Sequence, residues 1–223
     1  MKKLLVISPH PDDEIIGCGG VLDKFKNKYS INWAIITKMT EKEYGKKRIL
    51  QRQEEIKKIK KKLKIKRLFN LDFNTKELNK GNINDLIAAL SKVLRSIKPN
   101  ILFVPYINDA HSDHFFTSYA INHLLKTFRY NFVDSCYYYE TLSETNFNFS
   151  KKKKFIPNTY IDISGNLKQK IELLKVYKSE IKKHPFPRSI TSLKALATLR
   201  GSESGFKYAE AFQIVLKRHK NFI

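Results

Sequence analysis

The stretch Leu4-Leu5-Val6-Ile7-Ser8-Pro9-His10-Pro11-Asp12-Asp13-Glu14-Ile15-Ile16 carries two patterns on either side of a break. Its first part is apolar without alternation, as in a strand buried on both faces of a parallel sheet, and the run ends at Pro9. Beyond the break, Asp12, Asp13 and Glu14 suit a helix N-terminus, and Ile15, Ile16, Val21, Leu22 and Phe25 can form one apolar helical stripe. The order is therefore strand, loop, helix. Met1-Lys2-Lys3 ahead of apolar residues superficially resembles a signal peptide. The apolar run is cut short by Ser8-Pro9-His10, so it reads as a first strand instead.

The alternation continues outward. Residues 31–37 read as a second strand, and residues 41–63 carry Ile49, Ile56, Ile59 and Leu63 at helical spacing among Lys and Glu. Residues 67–73 read as a third strand. Asn84-Asp85 is placed to cap a helix bearing Leu86, Ile87, Leu90, Leu94 and Ile97, which Pro99 stops before an apolar strand over 101–106. This β-α-β-α-β-α-β order predicts an α/β fold: a Rossmann-like, mostly parallel, doubly wound sheet with helices on both faces. The C-terminal part is less regular. A helix is expected over 114–128, then β-like stretches over 133–142 and 159–163, with exposed Lys151-Lys152-Lys153-Lys154 between them. An amphipathic helix bearing Ile171, Leu174 and Ile181 must break at His184-Pro185-Phe186-Pro187. Another helix and a strand over 209–216 close the pattern. With no dividing linker, residues 1–223 are expected to form a single domain.

Hydrophobic residues make up 42% and aromatics 12% of the 223 residues, which excludes global disorder. Lys and Arg number 43 against 21 Asp and Glu, a formal +22. Such a surface attracts anions: nucleic acid, an acidic membrane or phosphorylated small molecules. Most of the basic residues are Lys, and the chain is rich in Asn and Ile but poor in Ala and Gly, as A/T-biased codon usage produces. Cys18 and Cys136 have no redox or metal-cage spacing, so a reducing, cytoplasmic setting is expected. No apolar stretch approaches the ~20 residues that span a bilayer.

Ligands of open α/β sheets bind beyond the carboxyl ends of the strands. His10-Pro11-Asp12-Asp13-Glu14 follows the first strand there, and Asp109-Ala110-His111-Ser112-Asp113-His114 follows the strand ending near Tyr106. On adjacent strands, the two clusters would share one site. Imidazoles and carboxylates around one cleft form the ligand set of a catalytic zinc, whereas Mg2+ or Ca2+ needs no histidines. A hydrolytic centre also needs a base that is not a ligand, and adjacent Asp12 and Asp13 can divide those tasks. Taken singly, His-Pro or Asp-Asp at a helix start is a turn or a cap. Their conjunction with the second cluster is what points to a site. The glycines Gly17, Gly19 and Gly20 do not complete a dinucleotide fingerprint, because Leu22 stands where a third Gly is needed. They read as close helix-on-sheet packing.

Ser8 to Glu14, Gly17-Cys18-Gly19-Gly20 and Asp109 to His114, supported by Leu199-Arg200-Gly201 and Tyr208-Ala209-Glu210-Ala211-Phe212, resemble the PIG-L/LmbE-like family of zinc-dependent N-acetylglucosaminyl deacetylases. The resemblance implies that His10, Asp13 and His114 bind Zn2+, with another divalent metal such as Fe2+ as the alternative. It also implies that Asp12 is the general base and that His111, when protonated, stabilises the oxyanion. Asp113 is placed to orient a histidine, and Glu14 to support the loop or the helix start. Arg52, in an Arg-x-x-Glu element, would hold a sugar hydroxyl or phosphate. Its competing assignment is an exposed helix arginine paired with Glu54 or Glu55. His123, His184 and His219 read as surface or packing residues. The implied reaction removes an N-acetyl group from an amino sugar, which could be nucleotide- or glycoside-linked or phosphorylated. Homo-oligomers are common among soluble members. Two other functions fit less of the chain: hydrolysis of a different amide, and anion or nucleic-acid binding through Lys57 to Arg67 and the Lys151 run. No base-reading or stacking motif accompanies the charge, so no specific nucleic acid is expected.

Overall fold

The computed structural model describes residues 1–150 and 152–219. Seven strands form one sheet in the order β3-β2-β1-β4-β5-β7-β6. They are β1 (Lys3–Ser8), β2 (Ser30–Lys38), β3 (Arg67–Asn74), β4 (Ile101–Pro105), β5 (Ser135–Tyr139), β6 (Thr159–Asp162) and β7 (Ala209–Lys217). From β3 to β5 all neighbours are parallel, while β7 runs antiparallel to both β5 and β6. The helices are α1 (Asp13–Phe25), α2 (Glu41–Tyr44), α3 (Lys46–Lys62), α4 (Ile83–Ile97), α5 (Ser112–Leu124), α6 (Leu167–Leu174) and α7 (Ile190–Ser204). This is the expected Rossmann-like, mostly parallel α/β sheet.

Alternation along β1 explains its unbroken apolar run. Leu4 and Val6 join one core with Ile15, Leu22, Ile59 and Leu174, whereas Leu5 and Ile7 join another with Leu86, Leu90 and Ile121. Successive side chains point to opposite faces, and helices cover both. Because β1 pairs with β2 on one side and β4 on the other, the winding reverses between β1 and β4, and their carboxyl ends open a crevice.

Several boundaries differ from expectation. The helix expected over 41–63 is divided at Gly45, whose φ of 73° suits glycine and whose N–H caps α2 by donating to the Glu41 carbonyl. Asn82, not Asn84, occupies the N-cap position of α4. The helix expected over 114–128 starts at Ser112 and stops at Leu124. Ile181 lies outside α6, beyond a 3-10 turn at Lys178–Glu180. Lys152, Lys153 and Lys154 are exposed, and Lys151 lies outside the described residues. Among the described residues no helix is long and apolar enough to cross a membrane.

α1 is kinked at Cys18 (φ −143°, ψ 20°). The break frees two amide protons, and the Glu210 carboxylate from β7 accepts both, from Gly20 N at 2.8 Å and Val21 N at 2.7 Å. Lys170 of α6 neutralises Glu210 at 2.6 Å and donates to the Ile16 carbonyl. The glycines have a steric cause. A Cβ at Gly17 would lie 2.2 Å from the Tyr139 ring, and one at Gly20 would lie 2.9 Å from Ile163.

Candidate functional site

The loops after β1 and β4 bring the two polar clusters face to face. His10, Asp13 and His114 offer donor atoms that all lie within 4.8 Å of one another. Asp13 Oδ2 is 3.4 Å from His10 Nδ1 and 3.3 Å from His114 Nε2. His114 donates from Nδ1 to Asp109 Oδ2 at 2.8 Å, and Thr145 donates to the other Asp109 oxygen. That leaves the buried His114 Nε2 facing Asp13 Oδ2, without a well-formed hydrogen bond among the described residues. A buried imidazole nitrogen in that state, beside a carboxylate and a second imidazole, fits a divalent cation that takes nitrogen and oxygen ligands.

His10 donates from Nε2 to Asp113 Oδ2 at 3.0 Å, so Asp113 orients His10. Asp113 in turn accepts the Lys76 backbone N–H. Burial opposes charge on both His10 and His114, but their carboxylate partners outweigh it and raise both pKa values. Asp13 is lowered despite its burial, because both imidazoles favour its charged form. Protons and a cation would compete for this donor set.

His111 occupies the N-cap position of α5, where its Nδ1 accepts the Asp113 N–H at 3.0 Å. Burial and the neighbouring His10 push its pKa down to about 4. The neutral ring therefore carries its proton on Nε2. Its centroid lies 4.6 Å from that of His10.

Asp12 is buried and takes φ 141°, unusual for a residue with a side chain. Its N–H donates to Glu14 Oε2 at 3.0 Å, and its own Oδ2 accepts from Arg188 Nη1 at 3.0 Å. Burial and Asp13 push the Asp12 pKa up against the pull of Arg188 and Arg52. Glu14 is wholly buried, accepts the Tyr177 hydroxyl at 2.7 Å, and holds the loop from behind. Burial pushes its pKa up to about 8.

Arg52 is buried, not exposed. It donates to the Pro11 carbonyl and to Glu180, lies 3.2 Å from Glu55, and stacks over Tyr177. One edge of it still lines the cavity above the site, whose volume is about 340 Å3. Its lining includes apolar Met39, Ile49 and Ile56, together with Tyr44 and polar Asn70, Asp72 and Thr75. Such a mixed lining suits a small ligand with both apolar and hydroxyl groups.

Sequence reasoning missed several of these residues. Arg188 and Glu180 flank a Pro-rich segment without periodicity, and only tertiary folding brings them to Asp12. Asp72, at φ 59°, lines the cavity from the end of β3. Asp109 was visible within its cluster, but nothing in its spacing marked it as the partner of His114.

Residues 5–125 match the family model described as PIG-L: GlcNAc-PI de-N-acetylase. The chain is 26% identical over 229 residues to the diacetylchitobiose deacetylase of Thermococcus kodakarensis, covering 96% of this chain and 84% of that protein. The structure of N,N'-diacetylchitobiose deacetylase from Pyrococcus horikoshii is similar at a TM-score of 0.76 and 23% identity, again covering 96% and 84%. GalB, the 4-carboxy-2-hydroxymuconate hydratase of Pseudomonas putida, is similar at a TM-score of 0.73 and 16% identity, with both chains covered in full. One architecture thus hosts more than one reaction, and an assignment of function has to come from the site.

Proposed function

Because the chain belongs to the PIG-L family of de-N-acetylases, we propose that it is a metal-dependent hydrolase that removes the acetyl group from an N-acetylglucosamine-type amino sugar. The observation that carries this reading is the convergence of His10, Asp13 and His114, whose donor atoms all lie within 4.8 Å of one another, beside a carboxylate outside the donor set, Asp12. His10, Asp13 and His114 would hold Zn2+, with Fe2+ as the alternative. Such a cation supplies Lewis acidity to a water and to the acyl carbonyl.

The chain's own residues supply the remaining steps. Asp12 lines the cavity and takes the proton of the attacking water. As the new C–O bond forms, negative charge gathers on the former carbonyl oxygen, and His111 donates its Nε2–H to it. Since the Asp113 N–H already occupies Nδ1, the neutral ring has its proton in the useful position. Asp12 returns the proton to the departing nitrogen as the C–N bond breaks, and acetate and a free amino sugar leave. Asp113 and Asp109 orient His10 and His114. The hydrogen bonds of Arg52 go to Pro11 and Glu180, so we assign it to holding the metal loop rather than to gripping a sugar.

Metal analysis paired with acetate release tests the reading on N-acetylglucosamine, N,N'-diacetylchitobiose, and phosphorylated and nucleotide-linked N-acetylglucosamine. Acetate is expected from at least one of these, with activity and metal lost together in His114→Ala. Full activity in that variant contradicts the assignment.

A further inference from the structure

We propose that Arg188 is a positioning residue for Asp12, an inference that rests on reading Asp12 as the base. Asp12 projects from a loop in which its own backbone is strained and a second carboxylate, Asp13, belongs to the donor set. A short carboxylate side chain there has two outlets: toward the cavity as a base, or toward the cation as an extra ligand. Arg188 selects the first. Its Nη1 donates to Asp12 Oδ2 at 3.0 Å, tying down one oxygen and leaving Oδ1 for proton transfer.

The guanidinium is itself well anchored. Glu180 Oε2 lies 3.3 Å from Arg188 Nη1, and Glu180 also pairs with Arg48 at 2.9 Å and with Arg52. Arg52 reaches back to the Pro11 carbonyl, so the network closes on the same loop. The Arg188 backbone directly precedes Ser189, whose side chain caps α7 by accepting the Ser192 N–H at 3.0 Å. Its Nε is buried without a partner, so the side chain is committed to the site by one edge only. Arg188 thus aims one cationic nitrogen at one oxygen of the base, and an error of about 1 Å in such a group costs about 100-fold in rate.

The test compares wild-type holoenzyme with Arg188→Ala, Asp12→Asn and the double variant, with metal content measured in each. In Arg188→Ala, kcat is expected to fall about 100-fold while KM stays within about threefold and bound metal is unchanged. Millimolar guanidinium is expected to restore about tenfold of the loss in Arg188→Ala and nothing in Asp12→Asn. In the Asp12→Asn background, removing Arg188 should cost less than about threefold, because the two residues act as a unit. If the alanine variant does not fold, Arg188→Lys decides by the same kcat and KM criteria. A rise in KM with kcat intact makes Arg188 a substrate contact and overturns the proposal. So does a full second loss in the Asp12→Asn background. Wild-type holoenzyme that releases no acetate sinks the reading of Asp12 and this inference with it, whereas an active wild type with an equally active Arg188→Ala sinks the inference alone.

Discussion

His111 carries the sharpest chemical assignment at the scale of single residues, because its tautomer is set by a backbone hydrogen bond rather than by charge. Replacing it with Ala should lower kcat by about 100- to 1,000-fold, the usual cost of one oxyanion donor, with metal content retained. His111→Gln, which keeps an N–H donor, should lose less, and steady-state kinetics beside metal analysis checks both. If His111→Ala lost its metal as well, the residue would belong with the ligands. The converging residues His10, Asp13, His114, Asp12 and His111 were legible because each stands in a short polar block directly after an apolar strand. Arg188, Glu180 and Asp72 were not, since their neighbours in sequence say nothing about Asp12 or the cavity. Arg52 was legible as important, but its burial and its partner Glu180 are products of tertiary packing.

Among the elements, α1 shows how the C-terminal motif serves the site from a distance. Tyr208-Ala209-Glu210-Ala211-Phe212 lies at the start of β7, and Glu210 caps the half of α1 that the Cys18 kink leaves open. Glu210→Ala would strand Lys170 as an unpaired buried cation and is expected to destabilise the fold by about 3–5 kcal/mol, measured by urea unfolding. Changing Lys170 to Met in the same chain should recover part of that loss. Equal stability of Glu210→Ala and the wild type would refute the capping role. Strand-helix alternation up to β4 was legible from periodicity alone. The kink was not, because hydrophobic spacing persists through it. Nor was the antiparallel run of β7, since a two-residue period carries no direction. The division of the helix over 41–63 depended on one glycine, which a helical pattern tolerates on paper.

For the molecule as a whole, the core on one face of the sheet buries groups that ought to ionise in alkali. Burial raises Cys136 from 9.0 to about 12, and Tyr138, despite its hydrogen bond to Asn122, from 10.0 to about 12. The unfolded chain therefore loses these protons first, and between about pH 9 and about pH 12 the folded chain binds more protons than the unfolded one. Stability should be intact below about pH 9 and fall across that window. Circular dichroism melts at stepped pH, followed beside phenolate absorbance, should show unfolding and tyrosine ionisation together. A melting temperature constant through that window would contradict the burial assigned to these groups. At this scale the sequence stated the adjacency of β1 and β4 only as a condition for one shared site, because periodicity does not order strands, and the structure meets that condition. The formal +22 sets the field around the cleft without naming a ligand.

The central claim is that His10, Asp13 and His114 hold a cation required for amide hydrolysis. It is tested most directly by stripping the wild-type protein with a chelator and titrating Zn2+ or Fe2+ back while following bound metal and acetate release in the same samples. Both should return in step and saturate together, and His114→Ala should recover neither. Acetate release that survives complete removal of metal would contradict the claim.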